Sequence, residues 1–302
     1  MIGMYDVVIV GAGPAGLSAA LILGRARRTV LVCDTGRPRN ARARALHGFL
    51  TRDGTPPLEL IRIAREQLGH YPSVELRHIE VTQASCRADS QFDVTLAGGV
   101  TVRARKLLIA SGVVDNVPDI PGLSELYGSS VFHCPYCDGW EVRDQPIAIY
   151  GRGARGLGLS FEMLGWSRDL VLCTDGPAEI GADDLARLAA NGVAVREDRV
   201  ARLEGREGLL DRVVFASGEA LPRRALFFTT GQRQQSPLAL ALGCQISDKG
   251  TVQTGKYETT HLPGLYVAGD ASRDVQWVVV AAAEGAEAAF AINTDLLRED
   301  LD

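Results

Sequence analysis

Long apolar runs are missing from this chain of 302 residues. Its longest purely aliphatic stretch, Val278 to Ala283, falls far short of the roughly 20 residues that a bilayer-spanning helix needs. An excess of positive charge is missing too. The net charge of −5 sets up no field that would draw the protein to nucleic acid or to an anionic membrane. Cysteine is scarce, six residues in all, which is no disulfide framework. The apolar opening, Met1 to Leu23, has no basic start and carries Asp6. It is therefore expected to be a strand, turn and helix rather than a signal peptide, and the protein to be cytoplasmic. What remains is ordinary for a soluble globular chain, 46% hydrophobic and 23% charged, with length for two domains.

Glycine, by contrast, is placed with care. Tyr5 to Val10 is a near-continuous apolar run, the pattern of a parallel strand buried on both faces. It leads into Gly11-Ala12-Gly13-Pro14-Ala15-Gly16, a G-x-G-x-x-G turn whose glycines permit a tight turn, close approach of backbone to a pyrophosphate, and close helix packing. Pro14 suits the first turn of the helix that follows. A second strand, Thr29 to Cys33, ends in Asp34. That acid lies 18 residues after Gly16, the separation of a carboxylate that binds a ribose hydroxyl. Strand, glycines, helix, strand and acid in this order predict a dinucleotide site. In the loop Gly36 to Asn40, Arg39 and Asn40 are candidates to touch the same ligand; a solvated basic loop is the alternative. Alternating segments from Val74 onward return to a buried strand ending Leu107 to Gly112.

The pattern then recurs. Ile147 to Tyr150 is a buried strand, Gly151-Arg152-Gly153-Ala154-Arg155-Gly156 a second glycine turn, and Leu170 to Cys173 a strand leading to Asp175, 19 residues beyond Gly156. The expected fold is α/β: two Rossmann-like dinucleotide-binding domains, the second inserted into the first. The boundaries drawn are 1–114 and 244–302 for the first domain and 115–243 for the insert.

Just before the second cycle stands Cys134-Pro135-Tyr136-Cys137-Asp138-Gly139-Trp140. Two cysteines two residues apart can close and reopen a small disulfide, and Asp138 could move the proton that thiol chemistry needs. Zinc would want four ligands, and Cys33, Cys86, Cys173 and Cys244 are scattered singly, so no metal site is expected. Cys33 and Cys173 end strands and read as buried, inert thiols. His47, His70, His78 and His261 have no partner visible in the sequence. Trp140 reads as packing beside the dithiol. Two dinucleotide sites and a dithiol suggest flavin, nicotinamide and disulfide in relay.

The order of these motifs, together with Pro263-Gly264-Leu265-Tyr266-Val267-Ala268-Gly269-Asp270, resembles the low-molecular-weight thioredoxin reductases over nearly the whole chain. The resemblance implies FAD in the discontinuous domain, a nicotinamide domain inserted in it, and a homodimer. It implies Asp270 on the flavin's ribitol hydroxyls and Gln276 near the flavin ring. It assigns Cys137 to the flavin side, Cys134 to substrate exchange, and acid/base work to Asp138. The chain departs from the family where arginines usually receive the 2′-phosphate of NADPH. Here Cys173-Thr174-Asp175-Gly176 sets an acid that suits a free ribose hydroxyl, so NADH is expected ahead of NADPH. Arg152 and Arg155 could compensate. The Pro-Tyr spacer of the dithiol, together with Arg39-Asn40, Gly139-Trp140-Glu141 and Thr174-Asp175-Gly176, resembles a side branch that includes flavin dithiol oxidases. Three functions follow: an FAD-dependent reductase of a thioredoxin-like protein or small-molecule disulfide; an FAD dithiol oxidase passing electrons to O₂ with little or no NAD(P)H; or a redox-sensing binding protein. No nucleic-acid or membrane partner is expected.

Overall fold

A computed structural model of the chain describes residues 4–301. The strand Met4–Val10 lies between two parallel neighbours, Val30–Asp34 on one side and Thr101–Ile109 on the other. Val74–His78 extends the sheet beyond Val30–Asp34, and Leu265–Val267 pairs in parallel with the end of Thr101–Ile109. Phe92–Leu96 adds antiparallel on the start of that same strand, and Val81–Cys86 adds antiparallel on Phe92–Leu96. The chemistry of each strand matches its place. Val7 to Val10 are all buried, as a strand covered on both faces requires, whereas Phe92–Leu96 alternates buried and half-buried residues. The helix Pro14–Arg25 packs against the closing helix Val278–Glu299, and small residues allow the approach. A Cβ on Gly285 would stand 2.0 Å from the Ala15 carbonyl oxygen. This unit comprises residues up to Ala41, Pro57–Val114 and the chain from Gln232 onward.

The second unit comprises Arg42–Pro56 and Asp115–Gly231. Its sheet is five parallel strands in the order Ala194–Arg196, Leu170–Cys173, Ile147–Tyr150, Ala225–Phe228, Val131–Phe132. That repeats the parallel core of the first unit, so the paired Rossmann-like architecture is present. Two stretches group differently from the boundaries drawn by motif. Residues 232–243 go with the first unit because Leu238 and Ala239 are buried among Val81, Leu107 and Val252. Residues 42–56 go with the second. Arg42 donates to the Ser124 carbonyl (3.0 Å), and a Cβ on Gly128 would meet the Arg42 carbonyl oxygen at 2.4 Å. Among the described residues no helix is long and apolar enough to cross a membrane.

Candidate active site

Cys134 and Cys137 are joined by a disulfide, their Cα atoms 5.3 Å apart. A four-residue helix, Pro135–Asp138, holds them, with Pro135 at its first turn and Cys134 as the residue before it. Trp166, not Trp140, packs against this turn. Its ring meets Tyr136 edge-on at 5.2 Å, and a Cβ on Gly139 would stand 3.0 Å from it and 2.5 Å from the Pro135 carbonyl. Only glycine fits at position 139. Trp140 is 64% exposed, with the Arg143 guanidinium stacked 4.0 Å over its ring.

The Asp138 carboxyl is raised to about 7. Burial is the main cause and the Glu141 charge adds to it, while His47 opposes both. His47 has one near partner in the chain, Asp53, and one distant one, Glu141, and only the fold brings it to both. Its Nδ1 lies 3.4 Å from Asp53 Oδ1 and its Nε2 3.5 Å from Glu141 Oε1. His133 turns to Tyr127, whose hydroxyl is 3.1 Å from Nδ1, and to Asp115, 3.7 Å from Nε2. Cys33 and Cys173 are buried, and burial pushes both thiols up to about 12, so neither offers a thiolate at neutral pH.

The first glycine turn packs closely on the protein's own backbone at two of its three glycines. Gly11 has φ +106°, and a Cβ there would stand 2.4 Å from the Ala110 carbonyl oxygen. One on Gly16 would stand 1.9 Å from the Gly11 carbonyl oxygen. Gly13 is different: a Cβ would meet nothing within 4 Å. Asp34 accepts from the Ala12 N–H (3.2 Å), the Gly36 N–H (3.1 Å) and Arg65 (2.7 Å). Beside this turn the Ser111 hydroxyl is buried without a partner. An open glycine and an orphaned hydroxyl fit a bound dinucleotide. In the same unit Arg39 reaches Asp270 (3.0 Å) and Gln276 (2.6 Å), and Gly112 lies against Asp270. Asn40 follows in a turn, half-buried. Pro14 and Ala15 open the helix after the turn. The residues singled out in this unit therefore fall into two groups, one at the glycine turn and one around Asp270.

The second turn differs. Gly151 and Gly156 pack on each other, with a Cβ on Gly156 at 2.7 Å from the Gly151 carbonyl carbon. Gly153 has φ +56°. Both Asp175 oxygens are engaged within the protein, by the Tyr150 hydroxyl (3.1 Å) and the Val200 N–H (2.7 Å). Arg152 lies across the strand end, donating to the Thr174 carbonyl (3.1 Å) and the Asp175 carbonyl (2.6 Å). Arg155 lies against Gly231, whose Cβ would meet it at 2.5 Å. Among the described residues no cluster of three or more His, Cys, Asp or Glu could hold a metal ion.

Residues 5–285 match the profile of the pyridine nucleotide-disulphide oxidoreductase family. A probable thioredoxin reductase of Arthroderma benhamiae is 31% identical over 89% of this chain and 74% of its own. A thioredoxin reductase of Claviceps purpurea is 29% identical over 98% of this chain and 95% of its own. Among solved structures, an oxidoreductase from Agrobacterium tumefaciens superposes with a TM-score of 0.90 at 36% identity. That likeness covers 97% of this chain and 99% of the other.

Proposed function

The chain belongs to the pyridine nucleotide-disulphide oxidoreductase family, and from that premise we propose that Cys134 and Cys137 exchange its electrons with a thiol substrate. It is a thioredoxin reductase-like disulfide oxidoreductase, and membership implies binding of FAD and NAD(P)H. Gly11, Gly13, Gly16 and Asp34 would hold the phosphates and ribose of FAD, with Asp270 and Gln276 toward its flavin end. Gly151, Gly153 and Gly156 would receive the nicotinamide nucleotide. Bound flavin supplies two-electron exchange with a dithiol.

The rest falls to the chain's own residues. In the reducing direction the Cys134 thiolate attacks one sulfur of the substrate disulfide. A mixed disulfide forms as the substrate S–S bond breaks, and the departing sulfur takes a proton. Cys137 then attacks the Cys134 sulfur, closing the bridge and releasing the second substrate thiol. Asp138 is the proton carrier. The observation that carries this reading is the closed Cys134–Cys137 bridge beside a carboxyl raised to about 7. The substrate is a thioredoxin-like protein or a small-molecule disulfide, the assembly a homodimer, and the compartment a reducing one. Anaerobic titration of the purified protein with dithiothreitol, NADH and NADPH tests it. Each productive donor should bleach the visible flavin absorbance, and no bleaching by dithiol would sink the proposal.

A second reading, dithiol oxidation with O₂ as acceptor, is favoured by the second glycine turn, where Arg152 covers the strand end. Bleaching by dithiol alone, reversed by air, would select it.

Asp138 also fixes a pH dependence. Below about 7 it is protonated and can supply the proton a leaving thiolate needs; above, it is a carboxylate. Disulfide reduction should therefore fall as pH rises through about 7. Asp138→Asn should lose that limb of the profile and run about a hundredfold slower. The same raised value makes folded-state stability greatest below the ordinary carboxyl range and lowers it as pH rises through about 7. Asp138→Asn should therefore unfold at a higher temperature than wild type at pH 8.

A further inference from the structure

Two glutamates outside both glycine turns are buried with no role so far. Glu258 is fully buried and Glu284 is 5% exposed. One arginine serves both. Arg273 donates Nε–H to Glu284 Oε1 (2.8 Å) and an Nη2–H to Glu258 Oε1. The other oxygen of Glu284 accepts the Gly269 N–H at 2.8 Å, so the glutamate grips the turn that presents Asp270. The Arg273 carbonyl accepts from the Gln276 amide (3.0 Å), which also reaches the Asp270 carbonyl (3.1 Å). Gln276 and Asp270 in turn both accept from Arg39. Every polar residue of the Asp270 group is thus wired to two buried carboxylates. The backbone is strained at the same place: Tyr257 and Glu258 have φ of 56° and 63°, left-handed conformations that side chains larger than glycine adopt rarely. Strain of this kind persists only where surrounding contacts over-determine it and often marks functional sites.

We propose that Arg273, clasped between Glu258 and Glu284, is a positioning residue of the FAD site, fixing Asp270 and Gln276 in the arrangement the flavin end requires. The inference rests on the reading of this unit as the FAD domain. It assigns the three residues no contact with the cofactor; they act through Gly269, Asp270 and Gln276.

The clasp has a protonation signature that mere packing would lack. Burial pushes both carboxyls up, Glu284 to about 7, with repulsion between them adding to it and Arg273 opposing. Glu287 adds a further negative charge near Glu258. From the first helix the neighbour of this stretch is the Ala15 backbone, which is uncharged. Two buried carboxyls thus share one guanidinium. Both Glu284 oxygens accept N–H bonds, and Glu258 Oε2 accepts the Thr254 hydroxyl at 3.3 Å. A carboxyl raised in the folded state favours that state at low pH and loses the contribution as pH rises through its folded value. The clasp therefore weakens as pH rises through about 7, when the Glu284 carboxyl loses its proton and a net negative charge stays buried.

The test is FAD binding by the full chain freed of flavin, followed by quenching of flavin fluorescence at several pH values. Wild type should bind FAD at least about threefold more weakly at pH 8 than at pH 6. Glu258→Gln, a neutral isostere that keeps an acceptor for Arg273 and removes the charge that helps to raise Glu284, should bind like wild type at pH 6 and lose the pH dependence. Arg273→Met should bind about tenfold more weakly throughout, since it leaves a buried carboxylate without its charged partner. If Glu258→Gln keeps the wild-type pH dependence, or Arg273→Met binds FAD normally, the inference is overturned while the FAD reading stands. If wild-type protein binds no FAD at any pH, both fall.

Discussion

Cys134→Ser is expected to lose dithiol–disulfide turnover by about a thousandfold or more, as removal of a nucleophile does. Its flavin content should stay normal, because the residues proposed to hold FAD belong to the other unit. Instability is too small an effect to mimic this result. The bridge closes a loop of only four residues, and the chain-entropy model gives such a loop about 2 kcal/mol at most. Thermal unfolding of the variant should accordingly shift by only a few degrees.

Cys137→Ser should be equally inactive for a different reason. Cys134 can still attack a substrate disulfide, but no second thiol remains to resolve the product. The mixed disulfide should accumulate on Cys134 and appear as a mass increase equal to one substrate half. Cys134→Ser should show no such adduct. An adduct on Cys134→Ser instead of Cys137→Ser would reverse the two assignments. Normal turnover in both variants would remove the dithiol from the mechanism altogether. Cys33 and Cys173 offer no alternative nucleophile, since burial pushes both thiols up to about 12.

How much could be seen in the chain itself depended on whether a feature was local. The parallel strands were legible because Val7 to Val10 and Leu170 to Cys173 are unbroken apolar runs, and buried central strands need just that. The glycine turns were legible because their demands act between close neighbours, Gly11 against Gly16 and Gly151 against Gly156. The grouping of 42–56 with the second unit was not legible. It rests on contacts such as Arg42 with Ser124, between residues far apart in the chain. His47 was passed over for the same reason, since Glu141 is distant in sequence and His47 itself sits in no motif. Trp166 could not be distinguished from Trp140 by composition; the difference lies in Gly139, which lets the Trp166 ring approach. Asp175 occupies the position that spacing predicts, but spacing could not say that Tyr150 and Val200 would engage both its oxygens.

The second large effect is expected at Gly13, and it turns on a contrast among three glycines. Gly11 and Gly16 are required by the protein's own backbone, since a Cβ at either would stand within 2.4 Å of a carbonyl oxygen. Substitutions there would distort the turn and would not separate folding from binding. Gly13 is under no such demand. Its φ of −76° suits any residue, and a Cβ would meet nothing within 4 Å. A glycine kept where the protein has room points to a ligand that comes close, as the middle glycine of this turn does for a pyrophosphate. Gly13→Arg should therefore fold with a stability within about 0.5 kcal/mol of wild type, as substitutions into open space do. It should nevertheless be essentially colourless, because the side chain occupies the space the phosphates need. Gly13→Ala should fold equally well and retain part of the flavin. The measurements are the visible spectrum of the purified protein, its flavin-to-protein ratio and its thermal unfolding. A yellow Gly13→Arg with normal flavin content would remove the first glycine turn as the FAD site. A colourless variant that is also unfolded would mean that the space around Gly13 is needed by the fold rather than by the cofactor.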